Sequence, residues 1–176
     1  SIHKRLYGMS IEERPEAVNK REIFGHWEID TVIGKKDSAA VLLTLDERMT
    51  KFRHIIKIPN RSAQSVELGF QQLRTTYGES FNNIFRSITS DNGSEFATLP
   101  KICPDIAIYY AHPYASYERG LNEKQNSLIR RFFSKGHSLD NVSADAIQRV
   151  QDWINRFPRK SFNYACSEDF FPFCPI

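Results

Sequence analysis

The sequence contains few of the features that stabilise small secreted domains or anchor a chain in a membrane. Its three cysteines, Cys103, Cys166 and Cys174, form neither closely spaced pairs nor a Cys/His array with zinc spacing. Its apolar runs, such as residues 39–43, fall far short of the roughly 20 residues that cross a bilayer. The N-terminus has no initiator Met and no apolar leader. We therefore expect a reduced cytoplasmic protein, cut from a longer chain, without disulfides, structural zinc or a membrane span.

A large charge excess of either sign is also missing, because 24 Lys and Arg oppose 21 Asp and Glu, a net charge of +3. The positive charge is concentrated in residues 124–160, which hold eight Lys and Arg against three acids. Such a segment is typical of a surface that contacts a polyanion, but a solvated helix face can have the same composition. Charge alone therefore leaves nucleic-acid binding open.

Hydrophobic periodicity predicts one α/β domain, a size consistent with 176 residues. Residues 1–23 are polar and are expected to form an N-terminal arm or lead-in, with the folded core over 24–176. Period-two alternation and short apolar runs predict strands, and apolar residues at steps of three and four predict helices. The strands are expected at 24–34, 39–45, 52–58, 84–89 and 106–110, and the helices at 63–77, 95–101, 117–133 and 143–157.

The C-terminal residues Phe170, Phe171 and Phe173 form a strongly apolar tail. Three exposed aromatic rings so close together would leave a large apolar patch in water, which soluble proteins rarely tolerate. We therefore expect this tail to fold back onto the domain or to meet another subunit.

Three acidic residues occupy unusual settings. Asp30 lies inside the first predicted strand, where aspartate is depleted, and Asp91 follows the fourth strand in the turn Ser-Asp-Asn-Gly. Glu123 lies on a helix, opposite the apolar stripe formed by Leu121, Leu128, Ile129 and Phe132. If the three carboxylates converge, they repel one another unless cations are bound, and magnesium is the usual cation for such a group.

Each acid also has an ordinary structural explanation. Asp91 is a common turn former, and Glu123 is spaced to pair with Arg119 one helical turn earlier. Neither explanation applies to Asp30. The residues alone therefore leave both a metal site and a set of unrelated structural acids open.

Three long segments, FGHWEIDTVIG, ITSDNGSEF and YAHPYASYERGLNEKQNSLIRRFFSKG, resemble the catalytic core of transposases of the insertion-sequence-30 family, within the retroviral-integrase-like superfamily. The similarity runs from about residue 10 to the end of the chain. It implies a ribonuclease-H-like fold, a mixed five-stranded sheet flanked by helices. It also implies an Asp-Asp-Glu active site for two Mg²⁺ or Mn²⁺ ions when DNA is bound. The catalytic and metal-ligating residues that match this motif are Asp30, Asp91 and Glu123.

The resemblance implies a DNA transposase that hydrolyses phosphodiester bonds at transposon ends and transfers the freed 3′-hydroxyl to target DNA. The partners are then DNA and further copies of the chain, with a dimer the favoured state. Two alternatives remain: another ribonuclease-H-like nuclease, or an inactive DNA-binding or assembly module. The helix-turn-helix region that recognises terminal repeats in this family is expected to be absent from the chain. The expected DNA-contacting residues are Asn92, Arg119, Lys124, Asn126 and Arg130.

Overall fold

The computed structural model describes residues 7–113, 115 and 120–173, which form a six-stranded mixed sheet covered by helices on both faces. Along the sheet the strands run in the order β1-β6-β5-β2-β3-β4. The β2-β3 and β3-β4 pairs are antiparallel, whereas β1-β6, β5-β6 and β2-β5 are parallel. The strand bounds are β1 (Met9–Ser10), β2 (His26–Ile33), β3 (Val41–Glu47), β4 (Arg53–Ile58), β5 (Ser87–Ser90) and β6 (Ala107–Tyr110).

Seven α-helices are present in the described ranges, and the two longest begin at the serines that the sequence marks as caps. The Ser62 hydroxyl accepts the backbone N–H of Ser65, and the Ser143 hydroxyl accepts that of Ala146. None of the described helices has the length and apolar character needed to cross a bilayer. The helix bounds are α1 (Glu16–Asn19), α2 (Ala63–Tyr77), α3 (Phe81–Ile84), α4 (Leu99–Ile102), α5 (Gly120–Ile129), α6 (Ala144–Arg156) and α7 (Ser167–Phe170).

The predicted α/β class is confirmed, but the sheet has one strand more than the five expected. The extra strand, β1, has only two residues, which is too short to show an alternating pattern, and it pairs with β6. It belongs to the predicted lead-in, where Ile11 and Val18 are also buried. The division of the chain at residue 24 stays a prediction.

The helix predicted over 95–101 is wrong as a single element. The structure has a 3₁₀ turn at Ser94–Phe96 and then the separate helix α4. Pro100 lies in the first turn of α4. Proline has no backbone N–H, so it suits the start of a helix and disrupts its interior.

Two apolar layers, one on each face of the sheet, form the core. On one face, α2 packs against side chains of β2, β3 and β5, whereas α5 and α6 cover the other face. Successive residues of β3 face opposite layers, and Leu42 and Leu43 are both fully buried. Because β5 and β2 are the two middle strands of a sheet that is covered on both faces, they lie at the centre of the fold.

The C-terminal aromatic tail folds back onto the domain, as predicted. The Phe171 ring stacks on Phe52 with ring centroids 3.9 Å apart, and Phe173 stacks on Phe24 at 5.8 Å. Both rings extend the apolar layer beside β4. The tail is therefore part of the described core.

The outer edge of β4 is covered by amide side chains of α6. Gln151 Oε1 accepts the backbone N–H of Ile55 at 2.8 Å. Asn155 accepts the N–H of Arg53 at 2.8 Å and donates to its carbonyl at 2.9 Å. Two side chains thus supply the hydrogen bonds that another strand would otherwise make at this edge.

Candidate active site

The first two predicted acids belong to adjacent parallel strands, with Asp30 inside β2 and Asp91 directly after β5. The β2-β5 pairing runs as far as Glu28 opposite Thr89. Extrapolated two residues beyond this last pair, the register brings Asp30 opposite Asp91, which directly follows β5. Both side chains are partly exposed, and Asp30 Oδ1 accepts the backbone N–H of Thr31 at 2.9 Å. The sheet topology therefore brings these two carboxylates to one edge.

The turn after β5 has the geometry expected of the Ser-Asp-Asn-Gly sequence. Asp91 Oδ1 accepts the backbone N–H of Gly93 at 2.8 Å. Asn92 is buried, and its Nδ2 donates to the carbonyl of Ala111, just beyond β6, at 2.7 Å. Asp91 and Asn92 thus both stabilise this loop, and this structural role holds Asp91 at the sheet edge.

The third acid lies on α5, which packs beside β2. Leu121, Leu128 and Ile129 are buried, whereas Glu123 is exposed, as the helical pattern predicts. Asn126, almost one turn after Glu123 on the same side of the helix, donates from Nδ2 to Asp30 Oδ2 at 3.4 Å. The structure therefore places the helix that carries Glu123 against Asp30, without grouping all three carboxylates.

Among the residues that the structure describes, no three His, Cys, Asp or Glu side chains are grouped as metal ligands. Asp30 in β2 and Asp91 directly after the neighbouring strand β5 nevertheless offer carboxylate oxygens. Mg²⁺ prefers such oxygens and commonly takes one or two protein carboxylates, with water and phosphate completing its shell. The aspartate pair is therefore chemically suited to a divalent cation.

Helix α5 is anchored by Gln125, whose buried side chain joins three segments. Its Nε2 donates to Asp46 at 3.2 Å and to the Lys51 carbonyl at 2.7 Å. Its Oε1 accepts a hydrogen bond from Arg159 at 2.8 Å. This network fixes the helix against the sheet, so that the exposed residues Glu123 and Lys124 face outward.

Lys124 shares its surface with other cations. Burial lowers the pKa of Lys51, and the nearby positive charges of Arg159, Lys124 and Arg21 lower it further. We call these four residues the basic cluster. A cluster of like charges of this kind is typical of a surface that binds a polyanion.

The remaining predicted DNA contacts differ in accessibility. Arg130 is half-buried, burial lowers its pKa, and its Nη1 donates to the Phe133 carbonyl at 3.3 Å. Arg119 lies outside the described residues. The DNA-binding roles of Asn92, Arg119, Lys124, Asn126 and Arg130 stay predictions.

Sequence reasoning missed an ion pair beside the aspartates. Glu95 is only 2% exposed, and its Oε1 accepts Arg61 Nε at 2.6 Å and the Thr31 hydroxyl at 3.3 Å. Thr31 follows Asp30 in β2, and Glu95 lies four residues after Asp91. The only sequence signal was the position of an additional acid within the ITSDNGSEF segment.

No family model matches the chain. Three transposases are similar to it over most of its length. The "Probable transposase for insertion-like sequence element IS1161" of Streptococcus salivarius is 39% identical over 96% of this chain and 47% of its own length. The IS4351 transposase of Bacteroides fragilis is 37% identical over 93% of this chain and 49% of its own. The transposase InsI of IS30A from Escherichia coli K12 is 29% identical over 92% and 42%.

Solved structures show the same fold. The catalytic core domain of BIV integrase matches 84% of this chain and 93% of that chain, with a TM-score of 0.60 and 17% identity. A chain of the simian T-cell lymphotropic virus intasome matches 86% of this chain and 57% of its own, with a TM-score of 0.62 and 17% identity. The predicted ribonuclease-H-like fold is thus confirmed.

The chain spans about half the length of the transposases it matches. Over most of its length the chain is therefore similar to transposases of insertion elements that include IS30A, and it has the fold of an integrase catalytic core.

Proposed function

We propose that this chain is the catalytic core of a DNA transposase, which cuts phosphodiester bonds at transposon ends and joins the freed 3′-hydroxyl to target DNA. The observation that supports this most directly is the Asp30–Asp91 register, with Asn126 of α5 bonded to Asp30. It gives two carboxylates at one sheet edge beside the helix that carries Glu123. Phosphodiester transfer at such a site needs acids and cations rather than a nucleophilic side chain.

The proposed ligands of two Mg²⁺ or Mn²⁺ ions are Asp30, Asp91 and Glu123. Divalent ions bound there supply the charge that activates the attacking oxygen and stabilises the leaving oxygen. The Thr31 N–H and the Asn126 amide orient the Asp30 carboxylate. Glu123, exposed on α5, would be the third ligand.

DNA is the proposed partner, and its phosphates meet the basic cluster next to α5. Lys124 is exposed in that cluster, and Arg119, Asn126 and Arg130 share its helix or the residues directly flanking it. Asn92 supports the loop that bears Asp91. We also propose that copies of the chain assemble, because transposition must hold two DNA ends together, and that this assembly acts on DNA in the cytoplasm.

The test measures nicking and strand joining with Mn²⁺ for the unmodified chain and for Asp30→Asn and Asp91→Asn. Both variants should lose nicking by about a thousandfold or more while still unfolding cooperatively. They should also lose the rise in melting temperature that Mn²⁺ causes in the unmodified chain. Glu67→Gln, at an exposed acid of α2, is the matched control and should behave as the unmodified chain.

Retained nicking by Asp30→Asn would refute the catalytic assignment. Nicking without joining of a 3′-end to a second duplex would instead favour a ribonuclease-H-like nuclease of another kind. If the unmodified chain shows neither nicking nor a response to Mn²⁺, the chain is a DNA-binding or assembly module.

A further inference from the structure

Arg61 lies just before helix α2, at a position where its charge does not stabilise that helix. It lies between β4 and α2, directly before the Ser62 cap. The N-terminus of a helix carries partial positive charge, so a cation placed there is unfavourable for the helix. Its location must therefore be explained by what the side chain contacts.

The side chain contacts Glu95, which is buried. Glu95 is 2% exposed, whereas the Arg61 side chain is 49% exposed, so the ion pair has one buried and one accessible partner. Only Nε of the guanidinium is hydrogen-bonded within the described part of the chain, to Glu95 Oε1 at 2.6 Å. The two terminal nitrogens, Nη1 and Nη2, are therefore available on the accessible side.

The pair is adjacent to Asp91 and to the segment of β2 that carries Asp30. A Cβ atom built on Gly93 would lie 2.6 Å from Glu95 Oε2 and 2.9 Å from Asp91 Oδ1, so both carboxylates border the same point of the backbone. Glu95 also accepts the hydroxyl of Thr31, the residue after Asp30. The hydrogen bond to Glu95 raises the pKa of Arg61, and the charges of Glu95, Asp91 and Asp30 raise it further.

We infer that Glu95 is a positioning residue that holds Arg61 beside Asp30 and Asp91, where the outer guanidinium nitrogens bind a phosphate of the DNA backbone. This inference rests on the proposed function, because it takes DNA as the substrate. Nη1 and Nη2 form a planar fork that matches two phosphate oxygens, while Nε stays on Glu95. The cation also offsets the repulsion between the aspartates and the incoming phosphate.

If Arg61 served only to neutralise Glu95, its removal would not change the affinity for DNA or the salt dependence of that affinity. DNA affinity is therefore measured without metal, over a range of salt concentrations, with a short fluorescent duplex. Arg61→Ala should weaken binding by about three- to tenfold and reduce the slope of log affinity against log salt by about 0.9. Arg74→Ala is the matched control, because Arg74 also pairs with an acid, Asp105, and is 37% exposed. It should leave both quantities unchanged.

Two conservative variants separate charge from positioning. Arg61→Lys keeps the charge, so the salt slope should persist while the nicking rate falls, because an ammonium cannot make the same planar contact. Glu95→Gln removes the anion that fixes Nε, so DNA binding should stay equal or become tighter while nicking falls by about tenfold. Both keep the side-chain volume and should retain the fold.

The double variant Arg61→Ala/Glu95→Gln tests whether Glu95 acts through Arg61. Its nicking should be no slower than that of Arg61→Ala alone. Additive losses would overturn the positioning role, and an unchanged salt slope in Arg61→Ala would overturn the phosphate contact. If Asp30→Asn keeps its nicking activity, the proposed function fails, but the metal-free binding data still decide whether Arg61 contacts DNA.

Discussion

Asn126 donates a hydrogen bond to Asp30 across the junction between α5 and β2, with Nδ2 and Oδ2 3.4 Å apart. The bond is long, and the other amide atom of Asn126, Oδ1, is buried without a hydrogen-bond partner among the described residues. The contact therefore joins helix and strand weakly beside Asp30.

Asn126→Ala should reduce the nicking rate by about tenfold, because Asp30 loses a hydrogen bond that orients its carboxylate. The melting temperature should change little, since the lost bond is long and one amide atom already has no partner among the described residues. Nicking assays and thermal unfolding measure the two effects. Ser127→Ala changes an exposed neighbour on α5 and should leave both values unchanged, whereas equal losses in the two variants would contradict the prediction.

Gly93→Ala should reduce nicking by about tenfold or more, because the new methyl group overlaps Glu95 Oε2 and Asp91 Oδ1. The backbone itself permits alanine, since Gly93 has φ −63° and ψ 141°. Any loss therefore comes from displaced carboxylates rather than from backbone strain.

Gly136→Ala is the matched control for Gly93→Ala. A Cβ atom at Gly136 meets no atom within 4 Å in the part of the chain that the structure describes, so this variant should nick DNA at the unmodified rate. A Gly93→Ala protein with full activity would show that neither Asp91 nor Glu95 needs its present position.

His54 should make the fold less stable in mild acid. The ring is buried against Trp27 and Phe52, its Nε2 shares a 2.8 Å hydrogen bond with the Tyr77 hydroxyl, and burial lowers its pKa to about 3. The unfolded chain takes up a proton near pH 6.5 and the folded chain does not, so stability is full above that pH. It should fall by about 2 kcal/mol between pH 7 and pH 5.

Urea denaturation at the two pH values measures this loss, and His54→Gln should lose much less stability over the same interval. His137→Gln, at an exposed histidine, should keep the full dependence. An unchanged pH dependence in His54→Gln would assign the effect to other groups.

Phe171→Ala should destabilise the fold by about 2–4 kcal/mol, because its ring stacks on Phe52 at 3.9 Å and closes the apolar layer beside β4. Phe170→Ala is the comparison, since that ring is 48% exposed and should contribute less than about 1 kcal/mol. Denaturant unfolding of both variants measures the difference. Equal losses would mean that the tail is not held by the Phe171 contact.

Local signals predicted the elements that depend on local contacts. The cap at Ser143 and the apolar spacing of Ile147, Val150 and Ile154 correctly predicted α6 and its buried face. The same reasoning placed Phe132 in the buried stripe of α5, which is wrong, because Phe132 is 41% exposed. The helix ends at Ile129, and beyond that residue the helical period no longer determines which face a side chain occupies.

Contacts between distant segments left no comparable pattern in the sequence. Arg61 and Glu95 are separated by 34 residues, and the buried neighbour of Glu95, Phe96, does not indicate which cation the carboxylate meets. The strand β1 was missed because two residues form no periodic signal. Asp30 was placed correctly inside a strand and Asp91 directly after one, but their proximity depends on the parallel pairing of β2 with β5.

The amides of Gln151 and Asn155 also restrict how copies of this chain can associate. A second molecule cannot extend the sheet beyond β4 without first displacing both side chains and breaking three hydrogen bonds. Any dimer formed on this flank must therefore bury side chains of the outer helices, and its strength will respond to substitutions in α6 rather than in β4.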